Sequence, residues 1–329
     1  LNLDKPLVSV LIPTYNRPFY FEISLKSVLA QTFKNYEIVI GDDSTNDETE
    51  SMIQPYLKNY PFIRYYKNKE NIGQFENDLQ LLRLAEGKFI NFLMDDDMFH
   101  PNKLEKMVPY LLKDENVKIV TSHRAGIDAQ SNLQPLVDIT MKITQVDALF
   151  DKQMMAKMVF SNNFNFVNFN FIGEPTTAMF RKDDLVEPFG TFDGRRYGSN
   201  VDLATWFSLM NGGHGVYLAD TLSFFRMHDG QQIRQFETHI KNVTDHAHSI
   251  LVAPKYHFID VESIEYQIAI HRSLNQITND IFSKRDFIIT NYKERVASYI
   301  RELSEFADRL LTLQRSNFDQ NFLYLKSHI

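Results

Sequence analysis

The chain has 329 residues, 43% hydrophobic and 23% charged, so it can form one large globular domain or a large domain with a smaller attachment. Its formal net charge of -7 argues against nucleic acid as the main partner, because a phosphate-tracking surface needs a basic stripe. The absence of cysteine excludes disulfides, thiolate metal sites and cysteine nucleophiles.

In chain order, Leu1-Asn2-Leu3-Asp4-Lys5-Pro6 lacks the basic and apolar blocks of a signal peptide. No run of about 18 apolar residues provides a spanning helix. A protein that is cytoplasmic, or peripheral at a membrane, is therefore expected. Val8-Ser9-Val10-Leu11-Ile12 reads as a buried strand stopped by Pro13, and Phe21 to Gln31 as a helix. Tyr36 to Ile40 is a second strand, broken at Gly41-Asp42-Asp43-Ser44, followed by a helix over Glu48 to Tyr60. Ile63 to Tyr66 is a third strand, Phe75 to Ala85 a helix ending at Gly87, and Phe89 to Met94 a fourth strand running into Asp95-Asp96-Asp97. This alternation predicts βαβ units, a mainly parallel sheet and an α/β fold class. Ligands in such sheets bind at the carboxyl ends of the strands. The polar clusters Thr14-Tyr15-Asn16, Asp42-Asp43 and Asp95-Asp96-Asp97 all fall there.

From about Lys118 to Asp229 the pattern is mixed, with a Phe/Asn-rich stretch over Phe160 to Phe171. Beyond about Thr238 it reads as helical: Val296, Tyr299, Ile300, Leu303, Phe306, Ala307 and Leu310 recur at three- and four-residue steps. Such a stripe is more often core packing than a partner surface, although two copies could associate through it.

The acidic triplet concentrates like charge at a strand end, which a divalent cation bridging a diphosphate would relieve. A solvated acidic turn before the helix that starts at His100-Pro101-Asn102-Lys103-Leu104 accounts for it equally well. Asp42-Asp43 could accept hydrogen bonds from a base or ribose, but on its own it is better read as a polar turn. Asp202, before the helical Leu203 to Met210, would ordinarily be a cap. His228, in Arg226-Met227-His228 after the strand-like Val216-Tyr217-Leu218, would ordinarily be structural. No Gly-x-Gly-x-x-Gly follows a strand, and neither a Walker-type loop nor a Gly-x-Ser-x-Gly elbow occurs. Dinucleotide redox chemistry, P-loop hydrolysis and α/β-hydrolase chemistry lose ground accordingly.

The order of these pieces carries more than any one of them. Val8-Ser9-Val10-Leu11-Ile12-Pro13-Thr14-Tyr15-Asn16-Arg17 resembles the opening of inverting family-2 glycosyltransferases with the GT-A fold. Ser27-Val28-Leu29-Ala30-Gln31-Thr32, Glu37-Ile38-Val39-Ile40-Gly41-Asp42-Asp43-Ser44, Asn71-Ile72-Gly73, Ala85-Glu86-Gly87-Lys88-Phe89-Ile90 and Asp95-Asp96-Asp97 continue the match. The resemblance is strong over residues 7–112, thinner over 165–230 and absent beyond about 240. It implies a GT-A catalytic domain over 1–240, with a nucleotide-binding half at 7–117 and an acceptor half at 118–240. Residues 241–329 would be a helical C-terminal region.

By the same resemblance, Pro13, Thr14, Tyr15, Asp42, Asp43, Gly73 and Asn77 would line the nucleotide-sugar site, with Asp43 contacting the base. Asp95 and Asp96 would approach ribose and diphosphate, and Glu174 would face the donor or acceptor sugar or form a salt bridge. A divalent metal, Mn2+ or Mg2+, would be held by Asp97 with Asp95 and His228. Asp202 would be the general base. Two positions depart from the family pattern: Val201 replaces the usual Glu of a Glu-Asp pair, and Glu76 stands where an Arg is frequent. The implied activity is transfer of a sugar, with inversion, from a nucleotide-diphosphate donor (a UDP-sugar first) to a hydroxyl of a glycan, lipid-linked or protein acceptor. Polysaccharide or glycan biosynthesis is the implied setting. The rival readings are a nucleotidyltransferase that makes nucleotide-sugars, though its Gly-rich, Arg-containing first loop is missing here, and a non-catalytic glycan- or nucleotide-binding module.

Overall fold

A computed structural model describes residues 5–135, 140–160, 170–228 and 236–294, with 296–302, 304, 305, 308 and 312. Leu303, Phe306, Ala307 and Leu310 of the C-terminal stripe, and most of the Phe/Asn-rich stretch, lie outside the described residues. The chain divides into two compact units, the first comprising 1–152, 170–196 and 201–231, the second 153–169, 197–200 and 232–329. The second unit thus draws on two short segments from before the predicted division at 240, as well as on the C-terminal region.

The first unit opens with β1 (Val8–Thr14), buried at every position. Pro13 does not end this strand. β4 (Phe89–Phe92) pairs only with Val8 to Leu11, so no neighbour on that side requires the amide that Pro13 lacks. Pro18 then starts α1 (Pro18–Leu29) three residues before the predicted Phe21, its fixed φ suiting the first helical position. Likewise β2 (Tyr36–Asp42) runs through Gly41. A side chain at Gly41 would meet Asn77 Oδ1 at 2.4 Å, so glycine here permits a close approach rather than a break. α2 (Glu48–Asn59), β3 (Ile63–Lys67) and α3 (Gln74–Leu84) precede β4. Then come β5 (Met98–Phe99), α4 (Lys103–Lys113), β6 (Val117–Ile127), β7 (Ala148–Phe150), α5 (Lys152–Phe160), which from Gln153 onward belongs to the second unit, β8 (Met179–Arg181), the ribbon β9 (Thr191–Phe192) and β10 (Arg195–Arg196), α6 (Val201–Met210) and β11 (His214–Arg226).

The sheet order is β3-β2-β1-β4-β8-β6-β11-β5, with β7 also on β11. The first four strands are mutually parallel and β8 lies antiparallel between β4 and β6, so a mostly parallel half continues into a mixed one. The chain winds outward from β1 through β2 to β3 and then returns to place β4 on the other side of β1. That reversal between β1 and β4 opens the crevice at their carboxyl ends. β11 pairs antiparallel with β5 through Ser223–Phe99 and Phe224–Met98, which returns the chain beside the acidic triplet. α6 is buried from Leu203 to Met210, as expected of a helix apolar on all sides.

In the second unit, α7 (Phe236–Val252) and α8 (Ile264–Asn291) carry the buried Ile240, Val243, Ala247, Ile250, Tyr266, Ile270 and Ile277. Asp245 on α7 accepts hydrogen bonds at Oδ2 from three successive amides, those of Gly198, Ser199 and Asn200, at 2.9, 2.9 and 3.3 Å. His239 bonds Asp280 at 3.1 Å, tying α7 to α8. No helix among the described residues is long and apolar enough to cross a membrane.

Candidate active site

The carboxyl end of β4 turns sharply, the Asp97 amide donating to the Met94 carbonyl at 3.1 Å. Ser24 of α1 places its hydroxyl 2.9 Å from the Asp95 carbonyl and 2.5 Å from that of Asp97. The three carboxylates then diverge. Asp95 Oδ2 accepts from the Thr14 hydroxyl at 3.0 Å and the Tyr15 amide at 3.2 Å, which joins the ends of β1 and β4. Asp96 Oδ2 lies 3.1 Å from Arg17 Nη1 and 3.1 Å from His228 Nε2. Asp97 accepts the Arg226 amide at 3.0 Å on Oδ1 and the Thr176 hydroxyl at 2.6 Å on Oδ2.

Burial, and after it the neighbouring Asp96 charge, pushes the Asp95 carboxyl up to about 7, against the pull of Arg17, Tyr15 and Thr14. The same two causes drive Asp97 well above the ordinary carboxylate range. Carboxyls raised in this way hold on to protons at neutral pH, and a bound cation would take the protons' place. The donors present, carboxylate oxygens and one imidazole, suit Mn2+ or Mg2+. Among the described residues no three His, Asp or Glu side chains form a ready-made cage, so such an ion would need further oxygens from its ligand. His228 meets Asp96, rather than Asp95 or Asp97, in this arrangement.

At the end of β2, Asp43 Oδ1 accepts from Asn68 Nδ2 at 3.0 Å and the Ile72 amide at 2.9 Å, and Oδ2 from the Gly73 amide at 2.9 Å. Gly73 begins α3 with φ +82 and open space where a side chain would be. Asp42 turns away from this loop: its oxygens take the Ser44 amide at 2.9 Å and the Tyr65 hydroxyl at 2.6 Å. Asn77 is buried, donating to the Gly41 carbonyl at 2.8 Å, so its amide supports the end of β2. Pro13 lies within β1, and Tyr15 just beyond it is 47% exposed, its ring open at the mouth of the crevice.

Asp202 lies in the first turn of α6, inside the helix rather than capping it. Its Oδ2 accepts from Asn170 Nδ2 at 2.8 Å. Asn170 also clasps Gly173, taking its amide at 3.1 Å, and the Trp206 indole of α6 donates to the Gly173 carbonyl at 2.9 Å. Gly173 has φ +92, and a side chain there would strike Arg124 and Thr177 at 2.7 Å. Burial foremost, and the Glu174 charge, raise the Asp202 carboxyl to about 7, although helix-start amides and Arg124 pull it down. Glu174 itself pairs with Arg124 at 2.9 Å. The short segment 170–177 therefore hydrogen-bonds both Asp202 and Asp97, through Asn170 and Thr176.

Arg17, Asn170, Thr176 and Arg226 are the residues that motif reading passes over. Arg226 is fully buried, its Nε donating to the Asp96 carbonyl at 2.6 Å and its Nη1 to that of Asp128 at 2.7 Å. Its place two residues before His228 was the available signal.

Comparison with known proteins gives a consistent picture. The family model described as Glycosyl transferase family 2 matches residues 9–186, more than half of the chain. An uncharacterized glycosyltransferase of Methanocaldococcus jannaschii is 33% identical over 133 residues, covering 40% of this chain and 46% of its own. A putative teichuronic acid biosynthesis glycosyltransferase of Bacillus subtilis, TuaG, is 28% identical over 68% of this chain and 80% of its own. The match thus spans less than half of the first relative and most of the second. Among solved structures, S. aureus TarS 1-349 in complex with UDP-GlcNAc superposes with TM-score 0.63 at 19% identity, covering 92% of this chain and 83% of that one. The mannosyltransferase PcManGT from Pyrobaculum calidifontis, in complex with GDP-Man and Mn2+, gives TM-score 0.51 at 14% identity, covering 93% and 87%.

Proposed function

The chain belongs to glycosyl transferase family 2, with a sheet of the GT-A type, and on that premise we propose that it transfers a sugar with inversion from a UDP-sugar to an acceptor hydroxyl, using Asp202 as general base. The observation that carries this reading is the segment 170–177, which bonds Asp202 at one end and Asp97 at the other. Base and acidic triplet thereby belong to one constellation. The named ligands of the structural relatives, UDP-GlcNAc and GDP-Man with Mn2+, support the class of donor.

In this mechanism Thr14, Tyr15 and the Asp43 loop hold the nucleotide, the Asp43 carboxylate organising the amides of Ile72 and Gly73. Asp97, with Asp95 and His228, would hold a divalent cation, which when bound neutralises charge on the departing diphosphate. Asp202 takes the proton from the acceptor hydroxyl as that oxygen attacks the anomeric carbon on the face opposite the diphosphate. One displacement assisted by one base inverts the configuration. Asn170 keeps Oδ2 of Asp202 oriented, and the nearby Glu174 charge, only partly offset by its Arg124 partner, raises the proton affinity of the base.

UDP titrated calorimetrically with and without Mn2+ tests the reading. The wild type should bind UDP at least about tenfold more tightly with the metal, and Asp97→Ala should lose that gain while keeping its fold. Equal metal dependence in the variant would remove Asp97 from the site.

A further inference from the structure

We propose that Arg17 is a built-in counter-ion of the acidic triplet, one that makes divalent-cation binding contingent on the nucleotide. Its Nη1 lies 3.3 Å from Asp95 Oδ1 and 3.1 Å from Asp96 Oδ2, so its positive charge sits where a metal's charge would be wanted. Two arginines serve this triplet, and they differ. Arg226 is sealed inside, its Nε committed to the Asp96 carbonyl and its Nη1 to the Asp128 carbonyl and Ser131, with its guanidinium 4.9 Å from the Tyr20 ring. It cannot leave without unmaking the turn it supports. Arg17 stands at the N-cap position of α1 just before Pro18, which fixes the backbone, while its side chain is 32% exposed where that of Arg226 is buried.

The consequence is electrostatic. A cation arriving alone must displace the guanidinium from two carboxylates or sit beside its charge. A cation arriving with a diphosphate gives the guanidinium a second anion, whose oxygens match its planar donor set. Arg17 then passes from Asp95 and Asp96 to the phosphate, and Asp95 is freed for the metal. Metal and nucleotide therefore raise each other's affinity, by the same factor from either side. The acidic centre stays neutralised, and poor in adventitious metal, until the donor arrives.

This inference rests on the nucleotide reading above, and the experiment separates the two. Free Mn2+ is followed by electron paramagnetic resonance during titration of the wild type, Arg17→Gln and Arg17→Lys, each with and without UDP. Arg17→Gln should bind Mn2+ alone about tenfold more tightly than the wild type, a change of the size expected for removing one charge from a partly exposed cluster. Its UDP-induced gain should shrink by about the same factor, and Arg17→Lys should retain most of the wild-type coupling. Melting curves recorded alongside check that each protein compared is folded. If Arg17→Gln binds Mn2+ alone as weakly as the wild type and keeps the same coupling, Arg17 is a structural ion pair and the inference falls by itself. A wild type in which UDP and Mn2+ do not affect each other overturns the metal–nucleotide reading, and this inference with it.

Discussion

As the proposed base, Asp202 has to meet two requirements that usually conflict. A base must be ionised to accept a proton, yet one held too acidic has little affinity for it. Burial and the nearby Glu174 bring its carboxyl up to about 7, so at neutral pH it is about half ionised and still basic enough to act. The sign of the pH dependence follows. In the proposed role the active form of Asp202 is the carboxylate, so kcat/KM should fall about tenfold per unit as pH drops below about 7 and level off above it. Asp202→Asn should fold, bind UDP with near-normal affinity and lose transfer or donor hydrolysis by at least about 10²-fold. A well-folded Asn variant turning over near the wild-type rate would move the base elsewhere, with Glu174 the next residue to test. At this scale the carboxylates were legible in the sequence, because Asp95-Asp96-Asp97 follows an apolar strand and Asp43 a β-branched one. Their partners were not. Thr176 reaches Asp97 across 79 positions and Arg226 across 129, and neither is unusual in its local setting.

Among the elements, β1, β2 and β4 could be read because each is largely apolar, with only isolated polar residues, and buried at every position, the mark of a strand covered on both faces. β8 could not: Met179–Arg181 is too short for any periodicity, and its place between β4 and β6 comes from pairing alone. β11 was visible only in its apolar middle, since register shifts between Leu218, Thr221 and Ser223 interrupt the alternation. The strap Gly198–Asn200 is another feature set by tertiary contacts. Its three amides converge on one oxygen of Asp245, which is buried in α7. Asp245→Ala would leave those donors without this acceptor, at a cost of roughly 1–3 kcal/mol. Asp245→Asn retains an acceptor oxygen but no charge and should lose less. Chemical denaturation of the three proteins checks the order. If the Ala variant is as stable as the wild type, the strap's amides find water and the contact contributes nothing.

For the whole molecule, the question is whether residues beyond about 240 support the fold or serve another purpose. Two facts about the second unit favour support. It is discontinuous, drawing in 153–169 and 197–200 from within the rest of the chain, so those segments remain when the C-terminal region is removed. They also rely on it: Phe160 of α5 packs against His246, Tyr197 bonds His248 at 2.9 Å, and the strap depends on Asp245. Ending the chain at Glu237 would uncover the otherwise buried Phe160 and Tyr197 where they meet His246 and His248, and strip the strap of its acceptor. Each large apolar side chain uncovered costs about 1.5–3 kcal/mol relative to its buried state, and a domain's whole stability is only about 5–15 kcal/mol. The shortened chain should therefore melt at a clearly lower temperature, by more than about 5 °C, or fail to fold. Calorimetry of both lengths, with sedimentation to follow assembly, decides between the two roles. An unchanged melting temperature together with a smaller oligomer would mean that α7 and α8 act as an association surface instead.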